Sequence, residues 1–169
     1  MADKLLTLGT LGIEELAPIA QSTGVSDAGK AIVLDTAGKL DTSLMPVGIG
    51  ADVKVCAASE NLVIGPVNLF DDAGTIKARK ADASLGFTKR ADGFVKESVT
   101  SGQNATVYFE GTLAGLTGLT VGAMYYLSAT AGLVTPTIPV TAGHIFQELG
   151  RAVSTSEIAI ELGEPIKRA

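Results

Sequence analysis

One histidine, His144, and one cysteine, Cys56, are the only soft or titratable nucleophile-type groups in this chain apart from hydroxyls and amines. A zinc site built from His and Cys needs three or four such ligands, so none can be assembled here. No G-x-S-x-G elbow or comparable context surrounds any serine that His144 could activate. His144 is therefore expected as a strand-edge residue and Cys56, in Val-Lys-Val-Cys-Ala, as a small buried hydrophobe. A single cysteine also excludes an intrachain disulfide and fits synthesis in a reducing compartment.

The other candidates resolve in the same direction. Asp71-Asp72 could hold a hard cation, but with Ala73-Gly74 behind it and apolar runs on either side the pair reads as a turn. Lys77 and Arg79, with Lys89 and Arg90, could form a cationic strip. Spacing of two puts Lys77 and Arg79 on one face of a strand, Asp82 and Asp92 lie close by, and the aromatic interleaving of an RNA-binding sheet is missing. A salt-bridged surface is the expectation. Gly48-Ile49-Gly50 and the glycines of 115–122 lack the strand–helix setting and Lys-Ser/Thr ending of a phosphate loop. Of the adjacent Tyr125 and Tyr126, at most one can face a core. No cofactor or metal is expected, and no enzymatic activity.

Short strands are the elements that must carry these residues. Apolar, β-branched and aromatic runs are expected as strands at 53–57, 69–70, 75–80, 86–99, 105–110, 124–127, 133–134, 145–152 and 158–162. Ile64-Gly65-Pro66, Asp71 to Gly74, Ser101-Gly102, Thr130-Ala131-Gly132 and Ser154 to Ser156 punctuate them. Ile158, Ile160 and Leu162 share one face of the closing strand, with Ala159 and Glu161 on the other. The expected fold is all-β, a compact β-sandwich or small β-barrel over 51–163, followed by a tail at 164–169.

Residues 1–50 read differently. Leu5, Leu6, Leu8, Leu11, Ile13, Leu16 and Ile19 are interrupted by Gly9, Gly12 and Pro18, and Ile13, Leu16 and Ala20 have helical spacing. An extended N-terminal arm with one short helical turn is expected, its seven apolar residues binding a neighbouring subunit; the alternative is that they fold back onto their own domain. Fully extended, the first 24 residues would reach about 80 Å. From 26 to 46 the turns Asp27-Ala28-Gly29 and Asp35-Thr36-Ala37-Gly38 dominate, the carboxylate accepting backbone N–H groups and the glycine taking positive φ. Val47-Gly48-Ile49-Gly50 reads as a hinge.

Composition supports assembly. The 169 residues are 46% apolar and only 18% charged, against roughly 25% charged in typical soluble domains. No run approaches the roughly 20 apolar residues of a membrane helix, so the surplus points to burial against other chains and not to lipid. A net charge of −5 disfavours bulk attraction to nucleic acid. Met1-Ala2-Asp3-Lys4 lacks the basic and apolar regions of a secretory signal, so synthesis in a host cytoplasm is expected.

The run VYFEG at 107–111, GLTGLTVGAMYYLSATAGLVT at 115–135 and GHIFQELGRAVSTSEIAIEL at 143–162 resembles the carboxy-terminal β-module of bacteriophage virion proteins. SDAGKAIVLDTAGKLDTSLMP, at 26–46, is similar to the spacer that precedes such modules in head-decoration and fibre proteins. The resemblance implies a capsid decoration or cement protein on the outer capsid surface, partnered by the major capsid protein and by itself as a homotrimer. Its alternative is a tail-fibre or receptor-binding module, against which stands the lack of a shaft before residue 26.

Overall fold

A computed structural model of the chain describes residues 5–9, 12–36, 38–45 and 52–169. The chain divides into two compact units, Met1–Gly50 and Ala51–Ala169. The fold is all-β, with its regular structure in strands and short 3-10 turns.

In the first unit, β1 (Leu5–Gly9) and β2 (Gly12–Leu16) form an antiparallel hairpin in which Leu5 pairs with Leu16 and Leu8 with Ile13. Gly12 has φ 139°, a conformation that L side chains rarely adopt, so glycine suits the return of the chain. The helical spacing of Ile13, Leu16 and Ala20 is thus not used; the helical turns fall later, as 3-10 turns at Val25–Asp27 and Thr42–Leu44. A hairpin satisfies backbone groups across the pair, and it shortens the reach expected of an extended arm, because Leu5 and Leu16 end up opposite each other.

The second unit begins with a closed five-stranded barrel. Its strands are β3 (Val53–Ala58), β4 (Gly65–Asp72), β5 (Thr75–Lys80), β6 (Gly93–Val95) and β7 (Asn104–Tyr108), arranged β3-β5-β4-β6-β7 and closed by β7 against β3. Closure depends on one parallel pairing, Ala57 and Ala58 of β3 with Lys77 and Ala78 of β5. Eight strands make a barrel just wide enough to be filled by side chains, so five enclose less and demand small ones. The interior meets that demand with Cys56, Ala58, Ala78 and Ala105 among Val67, Val95 and Val107. Leu62 and Val99 exchange backbone hydrogen bonds of 2.8 and 3.1 Å and add their side chains to this core.

The expected strand over 86–99 is corrected to a 3-10 segment, Ala83–Lys89, followed by the short β6. Asp82 caps the segment, its carboxylate accepting from Ser84 N at 2.8 Å. At Gly86 the backbone turns to φ 64°, ψ −152°, which breaks any period-two run.

The remaining strands are β8 (Gly111–Ala114), β9 (Met124–Leu127), β10 (Val134–Thr135), β11 (Ile145–Phe146), β12 (Glu148–Ala152), β13 (Glu157–Ile160) and β14 (Ile166–Lys167). Five of them form an antiparallel sheet, β10-β9-β12-β13-β8, while β11 pairs with β14. Residues 164–169, expected as a tail, therefore contribute a strand. Ile158 is buried and Ile160 and Leu162 half-buried, whereas Ala159 and Glu161 are exposed, as the alternation of the closing strand requires. Between Glu148 and Gly150 the register of β12 on β9 shifts by a bulge, and Gly150 there has φ 143° with a Cβ position only 2.0 Å from Ala159 O.

Barrel and sheet are joined through the segment after β5. Ala81 N donates to Pro66 O at 3.2 Å, Gly132 N to Ala81 O at 2.8 Å and Ala83 N to Ser128 O at 2.9 Å. Ala81, Ala83 and Ala91 pack with Leu127, Ile145 and Leu149 in a second core. A third, around Leu119, Tyr125, Ala152 and Ile158, lies under the sheet.

Candidate interaction surfaces

The first unit is held by hydrogen bonds at carboxylates. Asp27 accepts from Thr23 N at 2.6 Å, Thr23 Oγ1 at 2.8 Å and Lys30 Nζ at 2.6 Å. Lys30 above all, then the Thr23 groups, hold its carboxyl down at about 2. Asp41 accepts from Gln21 Nε2 at 3.0 Å and Ser43 N at 2.9 Å, and these bonds to Ser43 and Gln21 lower its pKa too. Asp35 closes the turn to Lys39 N at 2.8 Å, with Gly38 at φ 72°, the turn chemistry expected of Asp35 to Gly38. Ile19 bridges Ile32, donating to Ala31 O and accepting from Val33 N.

Apolar side chains contribute far less. Among the residues of this unit whose side chains the structure describes none is buried, and Leu6 is 71%, Ile13 75% and Val25 93% exposed. Strand alternation and the pairings Leu6 with Glu15 and Leu8 with Ile13 set Leu6, Ile13 and Glu15 on one face of the hairpin. Of the seven residues expected to bind a neighbour, Leu5, Leu6, Leu8, Ile13 and Leu16 lie on this hairpin and Ile19 on the Ile32 bridge, while Leu11 is outside the described residues.

On the barrel, tertiary structure gathers the cations that the sequence scatters. Arg79 Nε donates to Asn68 Oδ1 at 2.8 Å and its Nη2 to Thr88 O at 2.5 Å, with the guanidinium 4.3 Å from the Phe70 ring centroid. Asn68 Nδ2 and Leu69 N both donate to Asp92 Oδ2, at 2.7 and 2.9 Å, and Arg90 Nε reaches Asp92 Oδ1 at 2.8 Å. Lys77 Nζ lies 2.5 Å from Asp72 Oδ2. The salt-bridged surface expected here is present, and the buried Asn68 within it went unremarked in the sequence. No signal short of the fold marks Asn68, because its partners sit 11 and 24 positions away.

The groups weighed for chemistry are dispersed. Asp71 Oδ1 accepts from Gly74 N at 3.0 Å, and Ala73 and Gly74 have φ 52° and 87°, a two-residue hairpin turn between β4 and β5. Cys56 is buried in the barrel, and that burial pushes its thiol up. His144 is half-buried at the start of β11, its backbone bonded to Thr141 O and to Arg168 N. Tyr125 is the buried tyrosine, its hydroxyl accepting from Thr120 N at 3.0 Å; Tyr126 faces Phe146 at 5.3 Å between ring centroids. A hollow of about 540 Å³ on the five-stranded sheet is lined by Met124, Glu148, Arg151, Val153 and Glu161 among others. Arg151 Nη1 donates to Gly122 O, so its guanidinium is held by the main chain. Among the described residues no group of three or more His, Cys, Asp or Glu could hold a metal.

No family model and no curated protein matches the chain.

Proposed function

We propose that this chain is a non-enzymatic structural protein of a bacteriophage particle, which binds the outer capsid surface and cements it, as a homotrimer in contact with the major capsid protein. One observation carries the reading: among the residues of the unit 1–50 whose side chains the structure describes none is buried, and Leu6, Ile13 and Val25 are exposed. A two-stranded hairpin is marginal in water by itself, so such a unit gains its stability from what it binds. The barrel and sheet supply a rigid body; the hairpin and turn-rich spacer supply the adhesive part. A seam between shell subunits is strengthened by any oligomer that adds buried area on both sides. The net charge of −5 favours the outside of the shell over the packaged nucleic acid.

Purified capsids lacking the protein test this. The full chain is expected to bind them and to raise their melting temperature, and a Leu6→Ser/Ile13→Ser variant to lose that binding while its β-body stays folded. Adsorption to host cells with no binding to capsids would move the protein to the tail fibre.

A further inference from the structure

The barrel is built from two pieces and closed along two seams of different chemistry. In one piece β4 pairs with β5 from Val67 to Asp72 and with β6 from Gly65 to Val67; in the other β3 pairs with β7 from Val53 to Ala57. Between the pieces β6 meets β7 only at Phe94 and Tyr108, and β3 meets β5 only at Ala57 and Ala58. The first seam is packed by rings. Phe94 and Tyr108 stack at 5.7 Å between centroids, Phe94 is buried, and Lys96 Nζ lies 4.3 Å from the Tyr108 centroid. The second sets Ala57 and Ala58 beside Lys77 and Ala78, in the parallel arrangement that is the weaker kind per residue.

Beyond Ala58 side chains take over the second seam. Ser59 N and Ser59 Oγ both donate to Ala78 O, at 2.8 and 3.1 Å. One residue further on, the Glu60 carboxylate stands in for a main-chain carbonyl, accepting from Lys80 N at 2.9 Å. Asn61 Oδ1 then accepts from Ser101 N at 2.8 Å and fixes the turn on its other side. Ser59 is exposed and Glu60 half-buried, so water competes for these bonds as it does not for the stacked rings. We propose that Ser59 and Glu60 form a latch on the β3–β5 seam and that the barrel opens there first. It turns on the Phe94–Tyr108 joint while β3 stays paired with β7 and the five-stranded sheet keeps its bonds. The opening uncovers Cys56, Ala58 and Ala78, which line the barrel beside the seam.

Hydrogen exchange of the full chain, read residue by residue by NMR, tests the latch. Ala58 N is bonded to Gln103 O and Ser59 N to Ala78 O, so neighbouring amides report the two sides of β3. With intrinsic rates allowed for, Ser59 and Lys80 are expected to exchange about tenfold or more faster than Ala58 and than Leu127 of the sheet. In Glu60→Ala, Cys56 is expected to react with a thiol reagent about tenfold or more faster than in wild type. That rate should be nearly flat in low urea, because the opening exposes little surface, whereas Leu127 exchange climbs steeply. Glu60→Gln, whose side-chain carbonyl still accepts from Lys80 N, is expected to label close to the wild-type rate. Seam amides protected as well as Ala58 overturn the latch whether or not the variants fold. So does Glu60→Ala labelling as slow as wild type, or as steep in urea as Leu127 exchange, or matched by Glu60→Gln.

Discussion

The side-chain amide of Gln147 and the main chain of Ala91 exchange two hydrogen bonds: Ala91 N donates to Gln147 Oε1 at 2.8 Å and Gln147 Nε2 donates to Ala91 O at 2.9 Å. A buried glutamine thereby pairs with a peptide as a neighbouring strand would. Its second amide proton goes to Gly163 O at 3.2 Å, so one side chain ties the segment before β6 to the residues after β13.

Removing that amide leaves two buried backbone groups of Ala91 without partners. Gln147→Ala is expected to cost about 2–6 kcal/mol, each of the two unsatisfied groups contributing roughly 1–3 kcal/mol. Gln147→Glu is expected to cost at least as much, because a carboxylate cannot donate to Ala91 O or Gly163 O. Urea unfolding of the variants, with an unchanged m-value, checks both; a Gln147→Ala variant as stable as wild type refutes the assignment.

Gly150 is the glycine that the sheet cannot replace. At φ 143° its Cβ position falls 2.0 Å from Ala159 O, which is backbone and cannot swing away. Gly150→Ala is expected to destabilise by about 3 kcal/mol or more, or to prevent folding. Gly118, at φ 71° with nothing within 4 Å, is the control: alanine there is expected to cost only about 1 kcal/mol of backbone strain. Thermal melts of the two variants should differ by many degrees.

Asp27 makes the first unit sensitive to acid. Its folded carboxyl titrates at about 2 against the ordinary 3.8, the Lys30 and Thr23 bonds favouring the ionised form. The stabilisation is therefore complete above pH 3.8 and is lost as pH falls towards 2. NMR titration of the Asp27 carboxyl is expected to find that low value, and Lys30→Ala to move it upwards, since the Lys30 bond is the largest cause. An Asp27 that titrates near 3.8 would remove this anchor.

Cys56 is expected to react with thiol reagents only after unfolding. It is buried among Ala58, Val107 and the other barrel side chains, and the same burial keeps it protonated. The rate of labelling at neutral pH, followed against denaturant, should track barrel opening; fast labelling of the native chain would mean an open barrel.

Much of this protein was legible in its residues. Period-two alternation located β5 and β9 with their bounds and the buried face of β13, and Asp-Gly chemistry located the turns at Asp35 and Asp71, because these features are decided within a few residues. The inventory of one histidine and one cysteine also limited the chemistry before any fold was known. Where local signals conflicted, distance in the chain decided. The run 86–99 has the aromatics of a strand, but the Asp82 cap and the Gly86 turn bend it into a 3-10 segment that fits against Ser128 and Gln147. Ile13 and Leu16 have helical spacing, yet pairing with β1 satisfies their backbone instead.

Barrel closure through Ala57 and Ala58, the Asn68–Arg79–Asp92 network and the Gln147–Ala91 pair each join residues that are 11 to 56 positions apart. No periodicity encodes such partners, because hydrogen-bond satisfaction of a buried group is settled only when the strands that carry it have packed. The sequence alone determined that the chain is a β-protein with one histidine, one cysteine and a high apolar share for so few charges. Only the tertiary structure decided which cations meet on one face and which leucine and isoleucine stand uncovered, since exposure is a property of the packed chain.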